Sequence, residues 1–424
     1  MSCALESGDN AVVRICEETT FRTLETTPTM FKIPFLSESY SAVRGQPANN
    51  EIRGNPNAAL PFVGNWNLGG NWACTFHFDT IGLLLNGCIG APTSIAASTV
   101  ATEVYTGAGV LDDMSSNAGA NYTGTDLAQY EIVISTAAGT DKFTYQKTTY
   151  DANGQETAGA VSAEISITGA AQAIADGLTV TFGATTGHAV TDSWTVMVYG
   201  QNHHVFDIDS DLPSYNWEID YSGTPDVFNY LGTVFNTLGL TLSGAEGPLA
   251  VNMGLLGSKL NTDTSTNASS TTSFTDLAQS LFRSNGLYID STLIANFEEL
   301  TINHTNNFQP VRYVETTAAN KGTVSCYKPT IRSTTGMIRF GFEDQDDLLT
   351  DAIAETEVSL ISSIAAGDYW LRAEMQEVLV EPSVPMVGSN TELIKHEMNY
   401  TAGYQNGSYG SQIRFTLFGG AASY

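Results

Sequence analysis

Alternation with a period of two constrains this chain more than any other feature. Trp72, Cys74, Phe76 and Phe78 alternate with Ala73, Thr75 and His77. Tyr215, Trp217, Ile219 and Tyr221 alternate with Asn216, Glu218 and Asp220. Ile338, Phe340 and Phe342 alternate with Arg339, Gly341 and Glu343, and Leu371, Ala373, Met375 and Glu377 with Arg372, Glu374 and Gln376. Successive side chains on a strand point to opposite faces, so each run predicts a strand with one apolar face and one wet face, as in antiparallel sheet exposed on one side. Turn signals recur at Asn153-Gly154, Ser222-Gly223, Ser243-Gly244 and Asn406-Gly407, where hairpins are expected. Helical patterning is confined to Asp79–Asn86, Phe274–Arg283 and Asp346–Ile361.

Composition narrows the function. The chain has 424 residues, with 17 Lys and Arg against 45 Asp and Glu, a formal charge of −28. Between Gly54 and Arg283 the basic residues are Lys142, Lys147 and Lys259. Gripping nucleic acid needs clustered cations, and an acidic surface repels both nucleic acid and anionic membranes. Hydrophobic residues make up 42%, enough to build a core. The apolar patch Ile81–Ile89 is far shorter than the ~20 residues that span a bilayer, so no membrane insertion is expected. Met1–Thr20 lacks a basic segment followed by an apolar one, so no signal peptide is expected. The five cysteines include no CxxC pair and read as reduced thiols.

The motifs that could carry chemistry are weak. Asp207, Asp209, Asp211 and Glu218 match positions of a calcium loop, but Leu212 stands where such a loop needs glycine. His203-His204 has no partners at ligand spacing. No GxSxG elbow or papain-like cysteine context occurs. Glu298-Glu299 would point to opposite faces of a strand, which argues against a glycosidase pair. Tyr400, Tyr404 and Tyr409 read as interface aromatics rather than a sugar site. No catalytic residue, metal ligand or cofactor is therefore assigned.

Two segments resemble each other. Gly70–Asp79 is followed by Leu83–Leu85, and Gly336–Asp344 by Leu348-Leu349, each reading as strand, acidic helix start and short apolar helix. Between them the texture changes. Residues 91–199 are rich in Ala, Gly and Thr and read as short strands at Tyr130–Ser135, Lys142–Lys147, Ala163–Thr168, Leu178–Phe182 and Ser193–Val198. They are expected to form an inserted all-β surface domain, interrupting a body made of residues 1–90 and 200–424 with an N-terminal arm over about 1–61. In that arm, Arg44 and Arg53 are basic groups in an acidic molecule, suited to a neighbouring copy's carboxylates as inter-subunit contacts.

The order of several loose motifs resembles the major tail tube proteins of long-tailed, siphovirus-type bacteriophages. The matching pieces are Ser37-Glu38-Ser39 with Asn50–Gly54, Gly69–Asp79, Tyr215–Tyr221 with Phe228–Leu238, Phe297–Asn307 and Thr335–Leu349. The segments Ala170–Gly177 and Thr186–Trp194 are similar to β-sandwich modules that recur in phage structural proteins, of immunoglobulin-like type. The resemblance implies a mainly β, antiparallel sandwich or barrel subunit with short helices. It implies a virion tail protein, assembled in the host cytoplasm, whose hexameric rings stack into a hollow tube that delivers viral DNA. The partners it implies are copies of itself, the tape measure, tail terminator and distal tail proteins, and viral DNA passing without specific binding.

On that reading the wet faces become lumen candidates: Thr75, His77, Glu218, Asp220, Arg339, Glu343, Arg372, Glu374 and Gln376. An acidic lining would keep DNA off the surface within a Debye length of about 8–10 Å. The rival readings are a secreted or surface-layer β-rich adhesin and a β-rich polysaccharide-degrading enzyme.

Overall fold

The computed structural model describes residues 10–52, 57, 59–109, 111–221, 227–243, 249–273, 284–294, 297–341, 346–385, 395–404 and 410–424. The chain is mainly β, with 52% of residues in strands and 6% in helices, as the alternation requires.

Three sheets form the body. In the first, Ala11–Glu17 pairs with Thr29–Ile33 on one side and Tyr215–Tyr221 on the other. Tyr215–Tyr221 pairs on with the start of the long strand Val227–Ser243, which pairs with Lys259–Asp263. Ser270–Ser273 adds to Thr29–Ile33 as a parallel strand. The second sheet has six main antiparallel strands in the order Trp66–Thr75, Ala250–Gly257, the end of Val227–Ser243, Phe297–Thr305, Ser333–Gly341 and Lys395–Ala402, with the short strands Ser37–Glu38 and Ser41–Arg44 added at the outer edge of Trp66–Thr75. The third runs Thr292–Ile294, Ser284–Ile289, Val358–Ala366, Tyr369–Val380, Arg414–Phe418, His203–Asp207 and Thr93–Ile95. The last residues of Tyr369–Val380 also pair with Lys395–Ala402, which stitches the third sheet to the second.

Val227–Ser243 belongs to two sheets because it bends. Gly232 has φ +65, a conformation that favours glycine, and a Cβ there would lie 2.9 Å from both the Phe21 ring and Ser258. A bulge between Phe235 and Thr237 then resets the register.

The helix Phe78–Cys88 explains the run of leucines. All eleven of its residues are buried, as expected of a helix that is apolar on every side. Gly82 and Gly87 let the Tyr424 and Phe235 rings press directly on its backbone. A single core joins this helix to Trp72, Trp217, Phe235, Leu240, Ile338, Met375 and Phe415 from the three sheets.

Residues 99–199 build a separate sandwich. One sheet runs Gly119–Ala120, Thr99–Val100, Ser193–Tyr199, Leu127–Thr136, Lys142–Tyr150 and Glu156–Ala158. A smaller one runs Gln172–Ala173, Thr179–Phe182 and Met114–Ser116. Tyr130, Ile132, Phe143, Val180, Phe182, Trp194 and Val196 fill the space as a core of their own. A small seam seats this sandwich on the body: Leu127 and Ala152 pack on the stacked Trp370 and Phe418 rings, and Ser363 Oγ donates to Asn153 Oδ1 at 2.6 Å in a buried bond.

Several expectations need correction. The helix expected over Asp346–Ile361 ends at Ile353. Glu355 takes a left-handed conformation with φ 54, and Val358–Ala366 is a strand with Val358, Leu360 and Ile364 buried. The strand from Trp72 stops at Thr75, and Phe78 already opens the helix. Ala163–Thr168 shrinks to Ile165–Ser166. The helix expected over Phe274–Arg283 lies outside the described residues, as do Ser222-Gly223, Gly244, Phe342, Asn406-Gly407 and Tyr409.

Candidate assembly surfaces

The six-stranded sheet has an open face, and its register fixes what that face displays. One row across the strands reads Ala73, Asn252, Gly239, Asn303, Thr335, Thr401. The next reads Thr75, Ala250, Thr241, Thr301, Met337, Asn399. Both rows are uncharged, and Asn252, Asn303, Thr335, Asn399 and Thr401 are exposed. A third row reads Ser243, Glu299, Arg339, Glu397. Arg339 is pinned there: Nη1 donates to Glu299 Oε2 at 2.5 Å and Nε to Glu397 Oε1 at 2.6 Å. Lys395 Nζ sits 2.7 Å from Glu298. In a chain of charge −28, this broad face is thus hydroxyl and amide, with its cations committed to carboxylates.

The expected lumen residues do not share one face. Thr75 and Arg339 lie on the open face just described. Glu343 lies outside the described residues, as does Arg53. Glu218 is a correction, because it is fully buried. Its carboxylate accepts from Arg14 Nη1 at 2.7 Å, Thr266 Oγ1 at 2.6 Å and the Asn267 amide at 3.0 Å. Residues 266–267 roof what the alternation marked as a wet face, so Asn216 and Glu218 are both shut in. Asp220 is half-buried, 3.1 Å from the same Arg14 nitrogen. His77 is also buried, at the N-cap of the helix Phe78–Cys88, where its carbonyl accepts the Ile81 amide at 3.0 Å.

Arg372 and Glu374 stand on the third sheet, 3.3 Å apart, with Gln376 half-buried beyond them. Arg372 also lies over the Trp370 ring at 5.4 Å, on the side where residues 151–154 of the second sandwich approach. This places the pair at the seam between the two cores, away from Thr75 and Arg339. Arg44 is exposed on the edge strand Ser41–Arg44. Its Nε donates to the Gly64 carbonyl at 3.2 Å and its guanidinium lies 5.4 Å from the Trp66 ring, so the carboxylate-seeking part of the side chain still faces outward.

Other polar motifs are absorbed by the fold. Asp207 is held bidentately by Arg414, at 2.8 and 2.7 Å. His204 bonds Ser94 Oγ and the Ala421 carbonyl. Burial, aided by the Arg372 and His204 charges, pushes the His203 imidazole down to about 4. Burial likewise brings His304 to about 4 against a bond from Asn306. Among the described residues no group of three or more His, Cys, Asp or Glu side chains is arranged to hold a metal ion, and no helix is long and apolar enough to cross a membrane.

Residues 184–369 match the family model described as phage tail tube protein. That region, a little under half of the chain, is similar to the phage tail tube family. The match runs from the last strand of the second sandwich through the first-sheet strands from Tyr215 onward and four of the six strands of the second sheet, and ends at Tyr369. No curated protein matches the chain. Phage tail tube proteins are structural, non-enzymatic components of the virion tail that assemble with copies of themselves and with other tail proteins.

The match also changes which residues matter. Sequence reasoning had singled out Glu218, whose burial makes it a support for the tail tube fold. It had passed over Asn252, Asn303, Thr335 and Thr401, which the register aligns across the sheet. Each sits on a strand that alternates, but Asn and Thr carry no chemical signature to mark them.

Proposed function

We propose that this chain is the tube subunit of a long-tailed, siphovirus-type phage. Copies close into rings, six to a ring as the resemblance implies, and the rings stack into a hollow tube that conducts viral DNA. The family match over residues 184–369 carries this reading. Open strands support it physically. Ser270–Ser273 is exposed throughout at the edge of the first sheet, and unpaired edges join to other strands. A contact between copies that does not close on itself builds a filament.

The open face of the six-stranded sheet is the surface that best suits a bore. Each free Lys or Arg facing phosphate adds affinity by counterion release, and on this face Arg339 and Lys395 are already paired. Hydroxyl and amide rows give DNA nothing strong to hold. This replaces the acidic lining expected from sequence with a largely neutral one, edged by the Glu299–Arg339–Glu397 row. Residues 99–199 serve as an inserted outer domain, immunoglobulin-like in type, a start shifted from 91 because Thr93–Ile95 pairs within the body. The tape measure, terminator and distal tail proteins are its partners in the tail, and assembly takes place in the host cytoplasm.

Negative-stain microscopy of the purified chain tests the first part, with tubes or rings as the expected result. Asn303→Lys with Thr335→Lys tests the second. Phage carrying both changes should build tails of normal length but eject DNA more slowly. Unchanged ejection would move the bore to another surface, and wild-type protein that stays monomeric would end the reading.

A further inference from the structure

Among the described residues, eight of the chain's 17 Lys and Arg side chains are paired with its own carboxylates. Arg14, Arg22, Lys142, Lys147, Arg339, Arg372, Lys395 and Arg414 each have a carboxylate oxygen within 3.3 Å. Arg332 differs. It is half-buried, no described carboxylate lies within ion-pair distance, and its Nη2 is buried without an acceptor. The exposed cations Lys32, Arg44, Lys321 and Lys328 and the half-buried Lys259 reach solvent, and Arg312 donates to the Gly322 and Trp66 carbonyls, but a shielded guanidinium nitrogen without an acceptor has neither, and leaving it so is costly.

Arg332 lines a cleft of about 470 Å³ that opens to solvent. Ser210, Thr330, Tyr404 and Gln412 share the lining. Gln412 Nε2 donates to the Arg332 carbonyl at 3.3 Å, which leaves Gln412 Oε1 as a second buried atom without a partner. Thr330 Oγ1 donates to the Asn307 carbonyl, and Tyr404 is 60% exposed at the mouth. Asp209 and the buried Cys88 thiol act on Arg332 through space, and Arg332 acts in turn on the buried His304 imidazole. A concave site with one unpaired guanidinium and several hydroxyls is built for an anionic oxygen group.

We infer that the Arg332 cleft receives a carboxylate side chain from a second copy of this chain. The inference rests on the tube reading above. Copies that each carry −28 repel one another, so a stable contact between them needs a cation offered outward. Arg332 offers such a cation: it has no carboxylate partner among the described residues, and its Nη2 is sheltered from water, where an ion pair is screened least.

The test compares wild type, Arg332→Gln and Arg332→Lys as purified full chains. The protein concentration needed for tube formation is read by sedimentation and microscopy. Arg332→Gln should raise that threshold at least tenfold while the monomer's melting temperature holds, and Arg332→Lys should recover part of the loss. Carbodiimide treatment of the Arg332→Lys protein gives a second readout. An amide crosslink from position 332 to a carboxylate of another copy supports the inference. A crosslink confined to Asp209 of the same chain overturns it, as does an unchanged threshold in Arg332→Gln. Wild-type protein that forms no tube or ring refutes the tube reading itself, and the inference falls with it.

Discussion

His188 gives the sharpest test of how the second sandwich is held together. Its side chain is fully buried, with Nε2 2.8 Å from Asp113 Oδ1 and Nδ1 3.0 Å from Asp141 Oδ2. Both neighbours are carboxyl oxygens, which accept when ionised, so the pair favours the imidazole with protons on both ring nitrogens. Burial opposes that charge, but the bonds from Asp113 and Asp141 outweigh it and raise His188 above its ordinary value. The same carboxylates clamp the chain nearby. Asp113 accepts the Ala184 amide and Asp141 the His188 amide, while Asp192 holds the Gly109 and Ala189 amides and Asp112 the Trp194 indole.

The perturbation is His188→Gln, whose amide can donate to one carboxylate but leaves the other buried and unpaired. Breaking a buried pair this way costs about 3 kcal/mol or more, which is roughly a hundredfold in the opening equilibrium. Hydrogen exchange over residues 109–116 and 183–195, corrected for intrinsic rates, should report that loss at pH 6 while the body's exchange holds. The sign with pH follows from the raised value. The cation's contribution is complete below about 6.5, the unfolded value, and is lost as pH rises through the folded one. Wild-type protection in these segments should therefore fall as pH rises above about 6.5, and the variant should lack that fall. Equal protection in both proteins at pH 6, or a wild-type profile flat with pH, would refute the argument.

Two further outcomes follow from the geometry. Glu218→Gln should lower stability by about 3–5 kcal/mol, because Arg14 then keeps a buried charge with less to balance it; chemical denaturation measures it, and a loss below about 1 kcal/mol would show that residues 266–267 do not seal the site. Trp370→Ala removes the ring on which Leu127, Ala152 and Phe418 pack. It should make the joint between the two cores cleavable by protease while each core stays resistant, and resistance at the joint equal to wild type would show that the seam is held by other contacts.

What sequence could and could not reveal divides along physical lines. The strand Tyr215–Tyr221 and the helix Phe78–Cys88 were legible because their signals are local: alternation in one, a short run apolar on all sides in the other. The burial of Glu218 was not, because Arg14 reaches it across 204 residues of chain and Thr266 across 48. The clamp around His188 is illegible in sequence for the same reason, with Asp113 and Asp141 75 and 47 residues away. The expected helix Asp346–Ile361 overruns the observed Asp346–Ile353 because Ala354, Val358 and Ile361 also fit a helical spacing, and the left-handed turn at Glu355 separates the two elements. The open face of the six-stranded sheet was half legible: Thr75 and Arg339 were singled out, but the alignment of Asn252, Asn303, Thr335 and Thr401 exists only once the register is set.

The pairing of Thr93–Ile95 with His203–Val205 has a consequence for what this chain can carry. The two strands leave the body side by side, so the body experiences everything between them as the tip of a hairpin. The entropy of closing such a tip grows only slowly with its length. A long excursion at this point therefore burdens the body little more than a short one, and lineages could exchange, lengthen or discard the outer module without redrawing the fold that bears it.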